Sequence, residues 1–453
     1  MKIIIVGDGQ VGTTLTEYLA KEGYDITVID NNPKVIANVV NMYDVMTVSG
    51  NGANYDVLVD AGAEKADLLI AAANSDEVNI LSCLMAKKIG TKHTIARVRN
   101  PEYAQQLVFI REELGLSMVV NPEFEAAREI SRVLRFPAAI KLDCFSKGRV
   151  ELAEIKLSEK GLLTGRRLSE LYKVCREKIL ICAVQRDEHV IIPDGNFVLA
   201  AGDKIHITGS HAALAAFFKD VKMFKEKSKR VMIIGGGKIA YYLGRHMTDA
   251  GIDIKIIEKN EKRCLELSEA LPRATVICGD GTDQDTLIEE GLQSSDACVV
   301  LLGSDEENII ISLYVQSQGV EKVITEIERM SFTDMVESVG IDSFVSSNEI
   351  TASRIIRYVR SMQVSEETSM KTLYKIVNNQ AEAIEFAISH KTDYTDIPLK
   401  DLKTQKGILF AGIIRRGQVI IPGGNDCLQV GDSVIVVAGS GYNIKELEDV
   451  FES

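Results

Sequence analysis

The amino-acid sequence predicts an α/β protein with two doubly wound parallel-sheet domains, each followed by a small α+β domain. Two observations predict it. The second half of the chain repeats landmarks of the first at a nearly constant offset. Within each repeat, short apolar runs alternate with stretches of helical periodicity, the pattern of a parallel sheet covered on both faces by helices.

The repeat is visible at well separated points. Gly7-Asp8-Gly9-Gln10-Val11-Gly12 matches Gly235-Gly236-Gly237-Lys238-Ile239-Ala240 at an offset of 228 (235 − 7), and Asp30 matches Glu258 at the same offset. Gly50-Asn51-Gly52 matches Gly279-Asp280-Gly281, and Ser75-Asp76-Glu77 matches Ser304-Asp305-Glu306, both at 229 (279 − 50). Further on, Val190-Ile191-Ile192-Pro193 matches Val419-Ile420-Ile421-Pro422, and Gly202-Asp203 matches Gly431-Asp432. The units therefore run A–B–A–B.

The A unit opens with an apolar strand run at 2–6. Val11, Leu15, Tyr18 and Leu19 then fall on one face of a helix, as do Ile239, Leu243, His246 and Met247 in the second copy. Strand runs recur at 25–29, 45–48, 67–72, 93–97 and 117–120, and longer helices close the units at 122–135 and 348–362. The B unit has short strand runs, such as 150–155, between turn signals such as Asp194-Gly195 and Gly423-Gly424, and reads as small α+β. The predicted domains are 1–138, 139–227, 228–367 and 368–453. The charged stretch 224–230 reads as the linker between repeats.

The chain has 453 residues, 46% hydrophobic and 26% charged, with apolar material for several cores. Its net charge of −13 lacks the positive field that a nucleic-acid backbone requires, so no nucleic-acid partner is expected. The first apolar run stops at Gly7 and reads as a strand, not a signal peptide. No stretch approaches the ~20 apolar residues of a membrane span, so a membrane role requires a partner. The eight cysteines, Cys83, Cys144, Cys175, Cys182, Cys264, Cys278, Cys298 and Cys427, form no C-x-x-C pair and read as small buried hydrophobes in a reducing cytosol. The six histidines form no ligand set, and no metal site is expected.

The chemistry lies in the glycine turn. A G-x-G-x-x-G stretch alone says little, but this one follows a strand run, opens a periodic helix and precedes an acid at the end of the next strand. Gly7 allows the tight turn, Gly9 lets a pyrophosphate approach the backbone, and Gly12 lets the helix pack close. Asp8, Gln10 and Val11 complete the loop at the helix N-terminus, whose free N–H groups favour phosphate. Asp30 can accept both ribose hydroxyls of an adenosine, and its charge disfavours a 2′-phosphate. The second copy offers Gly235, Gly236, Gly237, Lys238 and Ile239, with Ala240 for the third glycine and Glu258 for the acid. Lys238 beside the phosphates points to ATP or ADP there. Asn51 and Asp280 can reach an adenine edge, Ala73 and Asn74 follow the fourth strand, and Arg97 can meet the phosphates. The counterpart of Arg97 is Glu326, which makes the two sites electrostatically unlike. Ser75 and Ser304 are equally well read as helix N-caps.

A dehydrogenase also needs an acid or base beside the nicotinamide. His189, His206, His211 and His390 of the B units are not shared between copies, and neither a nucleophile elbow nor a Walker A motif occurs. A ligand sensor accounts for the repetition, the glycine turns and the missing catalytic set together. An NAD-dependent oxidoreductase and a nucleotide-stabilised assembly scaffold are the alternatives.

The opening run Met1 to Gly12, Asp30-Asn31-Asn32-Pro33, Gly50-Asn51-Gly52, Ala96-Arg97-Val98-Arg99 and Val120-Asn121-Pro122-Glu123, set in A–B–A–B order, resemble the TrkA family of Trk potassium-uptake regulatory proteins. The A and B units resemble the N- and C-terminal lobes of an RCK (regulator of potassium conductance) domain. The resemblance covers essentially the whole chain and implies a tandem RCK repeat with two Rossmann-like domains. It implies a cytoplasmic homotetrameric ring, peripheral on the inner membrane face beneath a TrkH- or TrkG-like transporter, binding NAD(H) and adenine nucleotides. It carries ligand binding to Gly7 through Val11, Asp30, Ala73, Asn74 and Arg97, and to Gly235 through Ile239 and Glu258. Some relatives hold a divalent cation near the end of the A unit, where Glu123 and Glu349 stand; here these read as exposed acids at helix starts.

Overall fold

The computed structural model of the chain describes all residues except 137, 146–148, 188, 224–227, 364–369, 378–379, 440–441, 443, 445 and 453. At 105, 108, 143, 144, 172, 330, 334, 363, 372, 374 and 375 it describes the backbone alone. The side chain of Cys144, most of the predicted linker and the predicted boundary at 367 lie outside the described residues.

The first copy of the A unit runs β1 (Lys2–Val6), α1 (Gln10–Lys21), β2 (Asp25–Asp30), α2 (Pro33–Met42), β3 (Met46–Ser49), α3 (Tyr55–Asp60), β4 (Leu68–Ala71), α4 (Asp76–Ile89), β5 (His93–Arg97), α5 (Pro101–Ile110), β6 (Met118–Val120) and α6 (Pro122–Arg135). Its sheet is parallel throughout, ordered β3-β2-β1-β4-β5-β6. The central strands β1 and β4 are buried on both faces by their unbroken Ile, Leu and Val runs, as a sheet between two helical layers requires. The strand order reverses between β1 and β4, and a crevice opens there at the carboxyl ends.

A small antiparallel domain follows: β7 (Lys141–Phe145), β8 (Val150–Lys156), β9 (Leu180–Arg186), β10 (His189–Ile191), β11 (Lys204–Gly209) and α7 (His211–Asp220), with sheet order β10-β9-β11-β8-β7. The second A copy repeats the first as β12 (Arg230–Ile234), α8 (Lys238–Asp249), β13 (Asp253–Glu258), α9 (Glu261–Ala270), β14 (Thr275–Cys278), α10 (Gln284–Glu289), β15 (Ala297–Val300), α11 (Asp305–Ser317), β16 (Lys322–Glu326), α12 (Thr333–Ser338), β17 (Phe344–Val345) and α13 (Ser347–Gln363). Its parallel order β14-β13-β12-β15-β16-β17 is that of the first sheet. The last domain adds β18 (Met370–Ile376), β19 (Ala381–Ala387), β20 (Ile408–Arg415), β21 (Gln418–Ile420) and β22 (Ser433–Gly439), again antiparallel. The predicted fold class is the observed one. One expected core position differs: His246 is exposed on α8, while Leu243, Gly244 and Met247 form its buried face.

The chain divides into two compact units. One joins Met1–Ser131 with Lys229–Ile356, and the other joins Arg132–Ser228 with Arg357–Ser453. In the second unit the two antiparallel sheets share a core that includes Val150, Cys182 and Ala183 from one, and Ala411, Ile435 and Val437 from the other. In the first unit the two Rossmann-like copies meet along a polar seam. Gln10 accepts from Asn348 Nδ2 at 2.7 Å, Asn121 Nδ2 donates to the Tyr242 hydroxyl at 2.9 Å, and Phe124 meets the Tyr242 ring edge-on.

Candidate functional site

The two glycine turns are built from backbone constraints. Gly7 has φ +86°, and a Cβ there would lie 2.6 Å from the Ala73 backbone, so no larger residue fits. A Cβ on Gly12 would lie 2.1 Å from the Gly7 carbonyl oxygen, which fixes how closely α1 approaches β1. Gly9 and Gly237 face open space. Each is the N-cap of its helix, α1 or α8, and neither helix has a side chain capping its first turn, so the leading N–H groups are left for a ligand.

An acid braces each turn. Asp30 accepts from the Asp8 N–H at 2.9 Å and the Asn32 N–H at 2.8 Å. Glu258 accepts from the Gly236 N–H at 2.7 Å and the Asn260 N–H at 2.7 Å. One accepted bond per oxygen leaves each carboxylate further lone pairs for two ribose hydroxyls.

The first cleft, of about 390 Å³, is lined by Gly7, Asp8, Gly9, Asp30, Asn51, Ala73 and Asn74, all expected. Asp8 also ties the turn to α1. Its carboxylate accepts from Thr13 and Thr16, and burial raises its pKa against those two hydrogen bonds. Val11 and Gly12 are buried behind the turn and off the cleft wall. Asn51 folds onto the Ala53 N–H, and Ser75 and Ser304 cap α4 and α11.

The second cleft, of about 880 Å³, takes in Gly235, Gly236, Gly237, Lys238, Ile239, Glu258 and Asp280, again all expected. It also crosses the seam. Gln10 and Arg97, expected at the phosphates of the first turn, stand on its wall with Arg99 and Glu123. Sequence spacing puts Arg97 at the end of a first-copy strand; only the packing of the two copies sends it to the second cleft. Arg97 is 7% exposed, donates to the Ala73 carbonyl at 3.0 Å and leaves Nε without a partner. Burial, with Arg99 adding to it, lowers its pKa.

Glu326, at the position matching Arg97, lies on the same wall. Burial pushes its carboxyl up to about 8, helped by Glu328, Asp305 and Glu123. Glu123 corrects an expectation, since its sequence position reads as an exposed helix-start acid. It is 4% exposed instead, paired through Oε1 with Arg99, and its Oε2 has no partner. Arg99, Glu328 and Asn348 line this cleft although sequence reading does not single them out. Sequence reading also does not single out Arg263 of α9, which donates to the Gly236 carbonyl at 2.8 Å. Arg99 lies two residues beyond Arg97 in a run that carries the family resemblance; nothing local marks the others.

Comparison with known proteins agrees with this architecture. The TrkA-N domain model matches residues 3–122 and 231–347, and the TrkA-C domain model matches 152–222 and 383–451. The chain belongs to the TrkA family. It is 32% identical over 456 aligned positions to the Trk system potassium uptake protein TrkA homolog of Archaeoglobus fulgidus, covering all of both chains. Among solved structures it is similar to the RCK domain of GsuK (TM-score 0.63, 18% identity, 97% of this chain and 92% of that one). It is equally similar to the GsuK channel bound to NAD (TM-score 0.64, 18% identity, 97% and 77%). The TrkA-family fold is therefore present twice, and both copies keep the uncapped helix start, the open glycine and the strand-end acid that suit an adenine nucleotide.

Proposed function

We propose that this chain is the nucleotide-sensing regulatory subunit of a Trk-type potassium uptake system and not an enzyme. The observation that carries the reading is the pair of clefts, each with an uncapped helix start facing open space and an acid tied to the turn. The named potassium uptake relative supports the system, and NAD on the GsuK channel supports the ligand class. Among the described residues no helix is long and apolar enough to cross a membrane, so ion passage falls to a partner, a TrkH- or TrkG-like transporter. The chain would act in the cytoplasm at the inner membrane face, as a homotetrameric ring of subunits divided at 138, 227 and 367.

The two sites have different ligands in this reading. The first cleft, with Asp30 and, among the described residues, no cation on its wall, takes NAD(H) through the Gly7–Gly9 turn and the ribose hydroxyls. The second, with Lys238, Arg97 and Arg99 around it, takes ADP or ATP, whose terminal phosphates need those cations. Because Arg97 and Arg99 come from the first copy, a phosphate bound there ties the two copies together. A ligand that binds one arrangement of the copies about a hundredfold better biases the equilibrium by about 2.7 kcal/mol per site. The transporter reads the arrangement through a protein contact, and no bond is made or broken in the nucleotide.

The test is potassium flux with the co-reconstituted transporter across NAD⁺, NADH, ADP and ATP, beside calorimetric titration of Asp30→Ala. The variant should lose NADH affinity by roughly tenfold or more, the value of a hydrogen bond to a charged group. Unchanged NADH and ATP binding in Asp30→Ala, or flux indifferent to all four nucleotides, would refute the reading.

A further inference from the structure

Two thiols meet beside the acid of the second cleft. Cys264 lies on α9 and Cys278 ends β14. Strand register sets Cys278 directly opposite Glu258, and Cys264 Sγ donates to the Glu258 carbonyl at 3.1 Å. Both cysteines are thus placed against one backbone position, Glu258. Cys278 is exposed, and Cys264 is 7% exposed beneath it. The expectation of a small buried hydrophobe therefore fails at Cys278, while Cys264 is buried as expected. The first copy has no such pair: Ile36 (264 − 228) and Ser49 (278 − 229) take the two places, with Ser49 opposite Asp30 in the same register.

We propose that Cys264 and Cys278 are a reversible dithiol modification site, closed to a disulfide by hydrogen peroxide and lowering nucleotide affinity at the second cleft alone. The Cys278 sulfur attacks the peroxide oxygen, the O–O bond breaks, and Cys278 becomes a sulfenic acid as one water leaves. The Cys264 sulfur then attacks the Cys278 sulfur, the S–O bond breaks, and the hydroxide departs with the Cys264 proton as a second water. Two thiols are oxidised by two electrons, and the peroxide is reduced by two. Burial, and then Cys278, raise the Cys264 thiol to about 11, so it waits protonated at neutral pH and reacts only when its neighbour has been activated.

The consequence for binding follows from what α9 holds. Oxidation removes the S–H that Cys264 gives to the Glu258 carbonyl, leaving that oxygen the Gly279 N–H at 2.9 Å. It also draws the start of α9 toward β14, and the adjacent Arg263 is the residue that holds the Gly236 carbonyl of the turn. Both changes act on the brace and the turn of one cleft. This regulatory half rests on the nucleotide reading above; the cross-link itself does not.

The experiment treats the full chain with hydrogen peroxide, alkylates remaining thiols and maps peptides by mass, with Cys264→Ser in parallel. ATP titrations in an Asp30→Ala background, where the first site is disabled, report the second cleft. The expected result is a peptide pair joined at Cys264 and Cys278, released by dithiothreitol, with ATP affinity down about fivefold in oxidised protein and unchanged in treated Cys264→Ser. Both thiols still open to alkylation, or Cys278 taken to the sulfinic acid without a cross-link, would overturn the modification site. A cross-link that leaves ATP affinity unchanged would overturn the regulation. ATP that fails to bind the reduced protein counts against the proposed function, while the peptide map still judges the disulfide.

Discussion

The two glycine turns reach one backbone shape by different side chains. In the first copy the brace comes from within the turn: Asp8 takes hydrogen bonds from Thr13 and Thr16, and Asp30 takes the Asp8 N–H. In the second copy that position is Gly236, where a Cβ would sit 2.7 Å from both a Glu258 oxygen and the Leu267 side chain. The brace moves to α9, whose Arg263 holds the Gly236 carbonyl, while the longer Glu258 arm reaches the Gly236 N–H. What the repeat preserves is the acid-to-turn hydrogen bond and the open face for a ligand. The means of support differ, and the two sites can respond to different signals because of it.

The close helix approach gives the largest contrast. A methyl at Gly12 would collide with the Gly7 carbonyl, yet Ala240 occupies the matching place. The second turn has Gly235 at φ +104° where the first has Gly7 at +86°. Gly12→Ala should therefore destabilise the chain by up to about 3 kcal/mol, an overpacking cost against rigid backbone. The reverse change, Ala240→Gly, should cost only about 1 kcal/mol, the helix-propensity difference. Urea unfolding of both variants measures this. Equal, small losses would mean that the turns are interchangeable and that Gly12 is not needed for packing.

The next contrast is Arg97 against Glu326 at matching positions. The Glu326 carboxyl is raised from 4.5 to about 8 in the folded chain, chiefly by burial. Between those values the folded state holds a proton that the unfolded state releases, so Glu326 contributes stability below about pH 4.5 that is lost as pH rises toward 8. Glu326→Gln has no such proton to lose. It should match the native chain near pH 4.5 and exceed it increasingly up to pH 8, by on the order of 2–3 kcal/mol, given about 1.4 kcal/mol per pKa unit and partial exposure. Thermal unfolding across pH 4.5–9 reads the difference. A gap that is constant with pH would show that Glu326 titrates normally.

Much of the fold is legible in the sequence because its signals are local. The offset between copies, the apolar strand runs and the helix faces sit within a few residues of each other, and each observed parallel strand of the first copy overlaps a predicted run. The turn residues Gly7, Gly9, Asp30, Gly235 and Glu258 are legible for the same reason: strand, turn, helix and acid follow one another along the chain. The rest depends on packing between copies. No spacing reveals that Gln10 meets Asn348, that Glu123 is buried against Arg99, or that Cys264 and Cys278 gather about Glu258. His246 departs from expectation because period alone cannot choose between flanks of a helix face when the residue is polar at one end.

Arg97 gives the finest test of how the copies cooperate. Its guanidinium comes from the first copy, is anchored on the Ala73 carbonyl, and reaches the wall of the second cleft with Nε unpartnered. A phosphate at that wall would meet the positive charge of the Arg97 guanidinium. Arg97→Ala should lower ATP affinity at the second cleft about tenfold, or about 1.4 kcal/mol, and leave NADH at the first cleft within twofold. Arg97→Lys should recover only part of the loss, because an ammonium cannot hold the Ala73 carbonyl and a phosphate in the same planar geometry. Calorimetry with each nucleotide separates the cases. If NADH binding falls with ATP binding unchanged, Arg97 serves the turn of its own copy after all, and the cross-seam coupling must run through Arg99 and Lys238 alone.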